Sequence, residues 1–180
     1  MKRYVFRSKR ILLFIATAAV AAVVFTVAGT DIVFPPAYSK PVQDKSIDDG
    51  AGHTAVQTGT RLTVFKEEEA IWELPSGIRA QDFFIEDIDR DGRRDLLVLC
   101  WKRGRYGKQR PTWVKHDEIK WSQHIYVYDI TGDKVTPKWM ASDIGVHAAF
   151  MQCEKDRLYI TDTKGSVTEW RWISWGFEKL

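Results

Sequence analysis

From Arg61 to the C-terminus the chain is cut into short apolar runs with a period of two. RLTVF, AIWEL, DFFIEDI, DLLVLCW, HIYVYDI, KVTPKWMA, HAAFMQC, RLYITDT and SVTEWRW are each five to eight residues long. They are rich in β-branched and aromatic residues, as strands require. Turn signals separate them: the glutamates at 67–69, Pro75-Ser76-Gly77, Asp91-Gly92, Gly132-Asp133 and Lys164-Gly165. No stretch after residue 30 keeps a 3.6-residue period. Nine short strands with tight turns specify an all-β domain over residues 60–180. Aromatics supply 13% of the chain, including eight tryptophans. That is enough large side chain to give such a domain a core.

The N-terminus follows different rules. Residues 1–10, MKRYVFRSKR, are basic, and 11–29 form 19 residues without a charge. A helix of that length spans about 28 Å, close to a bilayer's hydrocarbon core. The leading Lys and Arg residues place residues 1–10 in the cytoplasm and everything after the helix outside it. The expectation is a single-pass transmembrane or signal-anchor helix at the cell membrane. Thr26-Val27-Ala28 offers small residues for signal cleavage, which would make the protein secreted instead. Residues 30–59 carry Pro35, Pro36 and Pro41 and then mostly polar residues. They read as a flexible linker, and His53 within it is given no role.

Charge is unevenly spread. Five of the 27 basic residues precede the first acidic residue, Asp31, leaving 22 against 24 acidic groups in the remainder. The net charge of +3 is therefore no nucleic-acid signal for the folded part.

An internal repeat lays residues 62–99 over 125–160, matching Phe65 with Tyr128, Trp72 with Trp139, Phe83 with Phe150 and Leu96 with Leu158. One strand-to-strand connection in the first copy reads DIDRDGRRD, residues 87–95. Calcium takes six to eight oxygen ligands. Carboxylates at alternating positions of a tight loop can wrap one: Asp87, Asp89 and Asp91, the carbonyl of Arg93, then Asp95. Gly92 permits the turn, and Ile88 pointing inward would tie the loop to the core. An EF-hand is excluded, because its twelfth position is Val98 and both flanks are strands. The competing reading is a hydrated acidic turn neutralised by Arg90, Arg93 and Arg94.

The run FFIEDIDRDGRRDLLV, residues 83–98, resembles the FG-GAP repeat, the blade unit of integrin-α-type β-propellers. The FG and GAP signatures themselves are absent. The resemblance implies one Ca²⁺ in the loop between the first two strands of a blade, held by Asp87, Asp89, Asp91, Arg93 and Asp95. It also implies that the nine strands build about two propeller-blade-like sheets. Incomplete propellers leave faces and edges to cover, so the two sheets are expected to pack as a compact two-blade unit, with a homo-oligomer or a docked partner as the alternatives.

Residues 101–124, WKRGRYGKQRPTWVKHDEIKWSQH, form the longest gap between strands. Trp101, Lys102, Arg103, Arg105, Tyr106, Lys108, Arg110 and Trp113 mix cations with aromatic faces. Such a surface suits an anionic polymer. Outside the cytoplasm, a cell-envelope polymer or a protein partner fits better than nucleic acid. The alternative is rings that pin the loop while the charges stay solvated.

His116, His124 and His147 show no metal-ligand spacing, and no nucleophile elbow, phosphate loop or dinucleotide fingerprint occurs. The functional expectation is an extracytoplasmic calcium-binding module. The alternative is an accessory subunit of, or a degenerate, envelope-polysaccharide enzyme. Cys100 and Cys153 would be either a disulfide or two thiols.

Overall fold

Among the described residues twelve strands follow one another: β1 (Lys45–Asp48), β2 (His53–Thr58), β3 (Arg61–Lys66), β4 (Glu69–Glu73), β5 (Arg79–Glu86), β6 (Asp95–Arg103), β7 (Trp121–Thr131), β8 (Lys134–Met140), β9 (Ala148–Glu154), β10 (Arg157–Asp162), β11 (Val167–Ile173) and β12 (Gly176–Lys179). This is a computed structural model, and it describes residues 41, 43–104, 112, 115–141, 144–154 and 156–180. The segments 1–10 and 11–29 lie outside the described residues. Among the described residues no helix is long and apolar enough to cross a membrane.

The strands form three four-stranded antiparallel sheets, each in chain order: β1–β4, β5–β8 and β9–β12. The all-β class is as expected, and all nine expected strands are present. The count of sheets is higher, because β1, β2 and β12 were not anticipated. The expected linker over 30–59 is corrected over 45–58, where β1 and β2 pair from Lys45↔Gln57 to Asp48↔Thr54. Polarity hid them. In β2 the inward residues are His53, Ala55 and Gln57, two of which are polar and hydrogen-bonded rather than apolar.

The middle sheet is covered on both faces, which is why β6 is one continuous apolar run. Leu96, Val98 and Cys100 join Ala55, Leu62 and Val64 of the first sheet in one core cluster. On the opposite face Leu99 and Ile125 meet Met151, Leu158 and Ile160 of the third sheet. A further cluster gathers Ile88, Leu97 and Val127, with Trp139, Trp172 and Phe177 against it. Trp139, Trp172 and Phe177 meet edge-to-face at centroid distances of 5.2 to 6.0 Å. Gly176 permits this approach, since a Cβ there would lie 2.5 Å from the Trp139 Nε1.

All four repeat matches fall on corresponding strands, and two of them, Trp72 with Trp139 and Leu96 with Leu158, also share their burial. Phe65 and Tyr128 lie on third strands, Trp72 and Trp139 on fourth strands, and Leu96 and Leu158 on second strands. Phe83 and Phe150 both lie on first strands, but Phe83 is buried while Phe150 is exposed and its neighbour Met151 is buried. That match is out of register by one residue, which inverts the face.

A polar hub crosses the sheets. β5 bulges at Gln81, which is skipped between the pairs Ala80↔Cys100 and Asp82↔Leu99. Its fully buried amide accepts from Trp101 Nε1 at 2.6 Å and Gln123 Nε2 at 2.7 Å, and donates to the carbonyls of Ala148 and Ala149. Gln57 donates to the Gln81 carbonyl. Strands of all three sheets therefore share one network. Cys100 and Cys153 are free thiols in separate clusters.

Candidate metal centre and basic surface

The aspartate loop joins β5 to β6. Asp87, Asp89 and Asp91 each offer an oxygen, and these atoms lie within 4.8 Å of one another. The loop turns on itself through its own main chain. Asp87 accepts from the amides of Asp91 at 3.1 Å and Gly92 at 3.0 Å, and Asp91 accepts from the Arg93 amide at 2.8 Å. Gly92 has φ 84°, a region open to glycine but costly for residues with a Cβ. Ile88 is buried as expected and anchors the loop in the third cluster.

Two basic groups, Arg93 and Lys138, hold the loop's carboxylates, and a third, Arg90, pairs outside the loop. Arg93 donates through Nε and Nη2 to Asp91 at 3.2 and 2.7 Å. Its side-chain and main-chain hydrogen bonds hold the Asp91 carboxyl below the ordinary value. Arg90, itself at φ 63°, pairs with Asp156. Lys138 of β8 reaches Asp89 at 2.5 Å and Asp95 at 2.8 Å.

Asp95 departs from the expected ligand set. It is 1% exposed, the first residue of β6, and both its oxygens accept from Lys138. Burial pushes its carboxyl up to about 6, against the pull of Lys138. The strand register fixes it there: Asp95 pairs with Asp129 on β7, and Asp129 pairs with Thr136 on β8, two residues from Lys138. Spacing along one loop carries no information about a lysine forty-three residues later. Burial tends to lower the Lys138 ammonium, but the hydrogen bonds it donates to Asp89 and Asp95 raise it overall.

As a test of fit, calcium needs six to eight oxygens. Asp87, Asp89 and Asp91 could offer three of them in a tight turn, with solvent open at Asp91. The donor set is all oxygen, which suits a hard divalent cation. Lys138 and Arg93 compete with it for Asp89 and Asp91.

Of the expected basic-aromatic surface, Arg105, Tyr106, Lys108, Arg110 and Trp113 lie outside the described residues. Trp101 is corrected. Its ring is fully buried, bonded to Gln81 and stacked 6.3 Å from His147, so it is a core residue and not a polymer platform. Its position at the end of an unbroken buried strand was the available signal. Lys102 Nζ lies 5.5 Å from the Tyr126 ring centroid. The Arg103 guanidinium carbon lies 5.1 Å from the Trp121 centroid, and so does that of Arg79, a residue not singled out from the sequence. Arg103 Nε and Trp121 Nε1 are buried without a hydrogen-bond partner. Such orphans cost about 1–3 kcal/mol each when left unmade.

His53, given no role from sequence, is buried between Asp49 at 2.6 Å and the Gly132 carbonyl at 2.7 Å. It ties the β1–β2 turn to the β7–β8 turn. A cavity of about 690 Å³ beside the β3–β4 hairpin is lined by Lys66, Glu67, Glu68, Glu69 and Asp133. There Lys66 and Asp133 shift each other, Lys66 upward and Asp133 downward, as an exposed ion pair does. No known protein family, curated protein or solved structure matches the chain.

Proposed function

We propose that the chain is a membrane-anchored extracytoplasmic module whose aspartate loop takes one Ca²⁺ and whose surface engages an anionic cell-envelope polymer or a protein partner. The carrying observation is the convergence of Asp87, Asp89 and Asp91 oxygens within 4.8 Å in a turn between two paired strands. The FG-GAP-like reading draws support from the sheet order. Each sheet is a four-stranded meander, and the loop joins the first two strands of its sheet. β5 also packs against β1 and β9, the first strands of the other two sheets, as blades around a common axis would.

In this reading the ion is structural. It gathers the loop, and Ile88 passes that order to the core. The anchor rests on the uncharged run 11–29 behind a basic leader. Calorimetric titration of the full chain in neutral detergent with CaCl₂ tests the site. One ion per chain is expected for the wild type, and none for Asp87→Asn/Asp89→Asn. Equal heats for both would remove the loop from the function.

A further inference from the structure

The middle sheet has a neighbour on each face. The first and third sheets pack on its two opposite faces, so each keeps one face turned outward, on opposite sides of the stack. We propose that these two outward faces are the halves of one interface. The outward face of the third sheet packs on the outward face of the first sheet of a second copy of this chain, and the reverse, in a closed homodimer. This rests on the blade-like reading of the sheets and is independent of the calcium site.

Strand register places the residues. On the third sheet Phe150, Thr161 and Val167 form one cross-strand row, and Gln152, Tyr159 and Glu169 form the next. Leu180 extends that second row, its amide donating to the Glu169 carbonyl. Phe150 is 38%, Val167 61% and Leu180 54% exposed, half of the exposed large hydrophobics among the described residues. Apolar side chains gathered on one face, unlike scattered ones, mark an interaction surface. On the first sheet the outward rows are Val56, Thr63 and Glu73, then Thr54, Phe65 and Ala70. Among these only Glu73 is charged. Charges on both faces are neutralised locally: Arg157 pairs with Glu169, Arg171 with Glu178, and Arg61 with Glu73. Glu154 stands at a corner, the last residue of the edge strand β9. Contact between the two faces therefore leaves no lone charge at its centre, where one would be costly.

Area decides between occupants. Four strands ~4.8 Å apart and about six residues long cover about 19 Å by 20 Å, or roughly 400 Å². One such contact, for instance the third-sheet face against itself, buries roughly 800 Å² in total, below the ~1,000 Å² that a specific interface needs. The closed dimer uses both outward faces of each copy and reaches roughly 1,600 Å², the size of a standard stable interface. It also repeats between copies the step that lays each sheet on the next within the chain. Two copies with three sheets each bring six sheets, inside the ~4–8 that close a propeller ring.

Sedimentation velocity of the full chain in density-matched neutral detergent reads the protein mass. Two 20.8 kDa chains per particle are expected, with no further growth as concentration rises. Thr63→Lys and Val167→Lys each put a cation into one half of the interface, on side chains that point outward, with near-ultraviolet circular dichroism as the check on folding. Each is expected to weaken the dimer at least a hundredfold, because it buries an unpaired charge. A monomeric wild type, a mass that keeps growing with concentration, or a dimer that survives either lysine overturns the proposal. Cross-linking decides if a lysine variant does not fold. Thr63→Cys and Thr161→Cys chains, both carrying Cys153→Ser, are expected to be joined by a bismaleimide only when mixed. Cross-linking of either alone, or none in the mixture, overturns the pairing of first sheet with third. Calcium heats of the monomeric variants are expected to match wild type, so the metal reading and this one fail separately.

Discussion

Replacing Lys138 by methionine removes the cation that holds Asp89 and Asp95 together while keeping most of the side chain's apolar length. Asp95 is 1% exposed, and Lys138 is its only ion-pair partner among the described residues. Removing one member of a buried pair strands the other, at a cost of about 3–5 kcal/mol. Asp95 can escape part of that by taking up a proton, because burial already pushes it up to about 6. The expected loss at neutral pH is therefore at the lower end, about 3 kcal/mol, or a fall in Tm of roughly 10 °C for a domain of this size. Adding Asp95→Asn should recover about half, since no buried charge remains. Lys138→Met should also bind Ca²⁺ more tightly, because Asp89 is released from its 2.5 Å competitor. Thermal melts of the full chain in neutral detergent, with and without Ca²⁺, read all three effects. A Lys138→Met melt superimposable on wild type, or a double variant no better than the single, would refute this reasoning.

Three further outcomes follow from the same geometry. Gly92→Ala forces a Cβ into φ 84° and should cost about 1–2 kcal/mol, read from the denaturation midpoint; an unchanged midpoint would mean that the turn relaxes freely. Gln81→Ala leaves the Trp101 indole and the Gln123 amide without their shared acceptor and should cost about 3 kcal/mol; under 1 kcal/mol would make the hub incidental. Asp49 is buried and accepts from the amides of Ala51 and His53. Burial acts to raise its carboxyl, but these hydrogen bonds and the His53 ring hold it below 3.8 overall. Its stabilisation is therefore complete above that value and is lost as pH falls through the depressed native one. Asp49→Asn should be less stable at neutral pH and lose less on acidification, measured as Tm against pH. A parallel acid limb in both proteins would count against it.

What the sequence revealed divides along physical lines. Apolar alternation is a local signal, so β3 to β11 were legible. β1 and β2 were not, because the groups they bury are His53 and Gln57, and only a hydrogen-bond partner elsewhere makes such a residue a core residue. The aspartate loop was legible as a cluster because its turn is local. The Lys138 partner of its fourth carboxylate, Asp95, was not legible, because that pairing is set across two strand pairings. Trp101 was read as part of a basic surface from its neighbours in the chain. Its alternation with Cys100 and Lys102, and the Gln81 bulge, instead turn it inward.

The central claim is that Ca²⁺ in the aspartate loop helps to hold the β domain together. Thermal unfolding of the full chain in neutral detergent, in excess Ca²⁺ and then in chelator, tests it most directly. Saturation at a hundred times Kd adds about 2.7 kcal/mol, so a rise in Tm of several degrees is expected, abolished by Asp87→Asn/Asp89→Asn. Identical melting curves in calcium and in chelator would contradict the account.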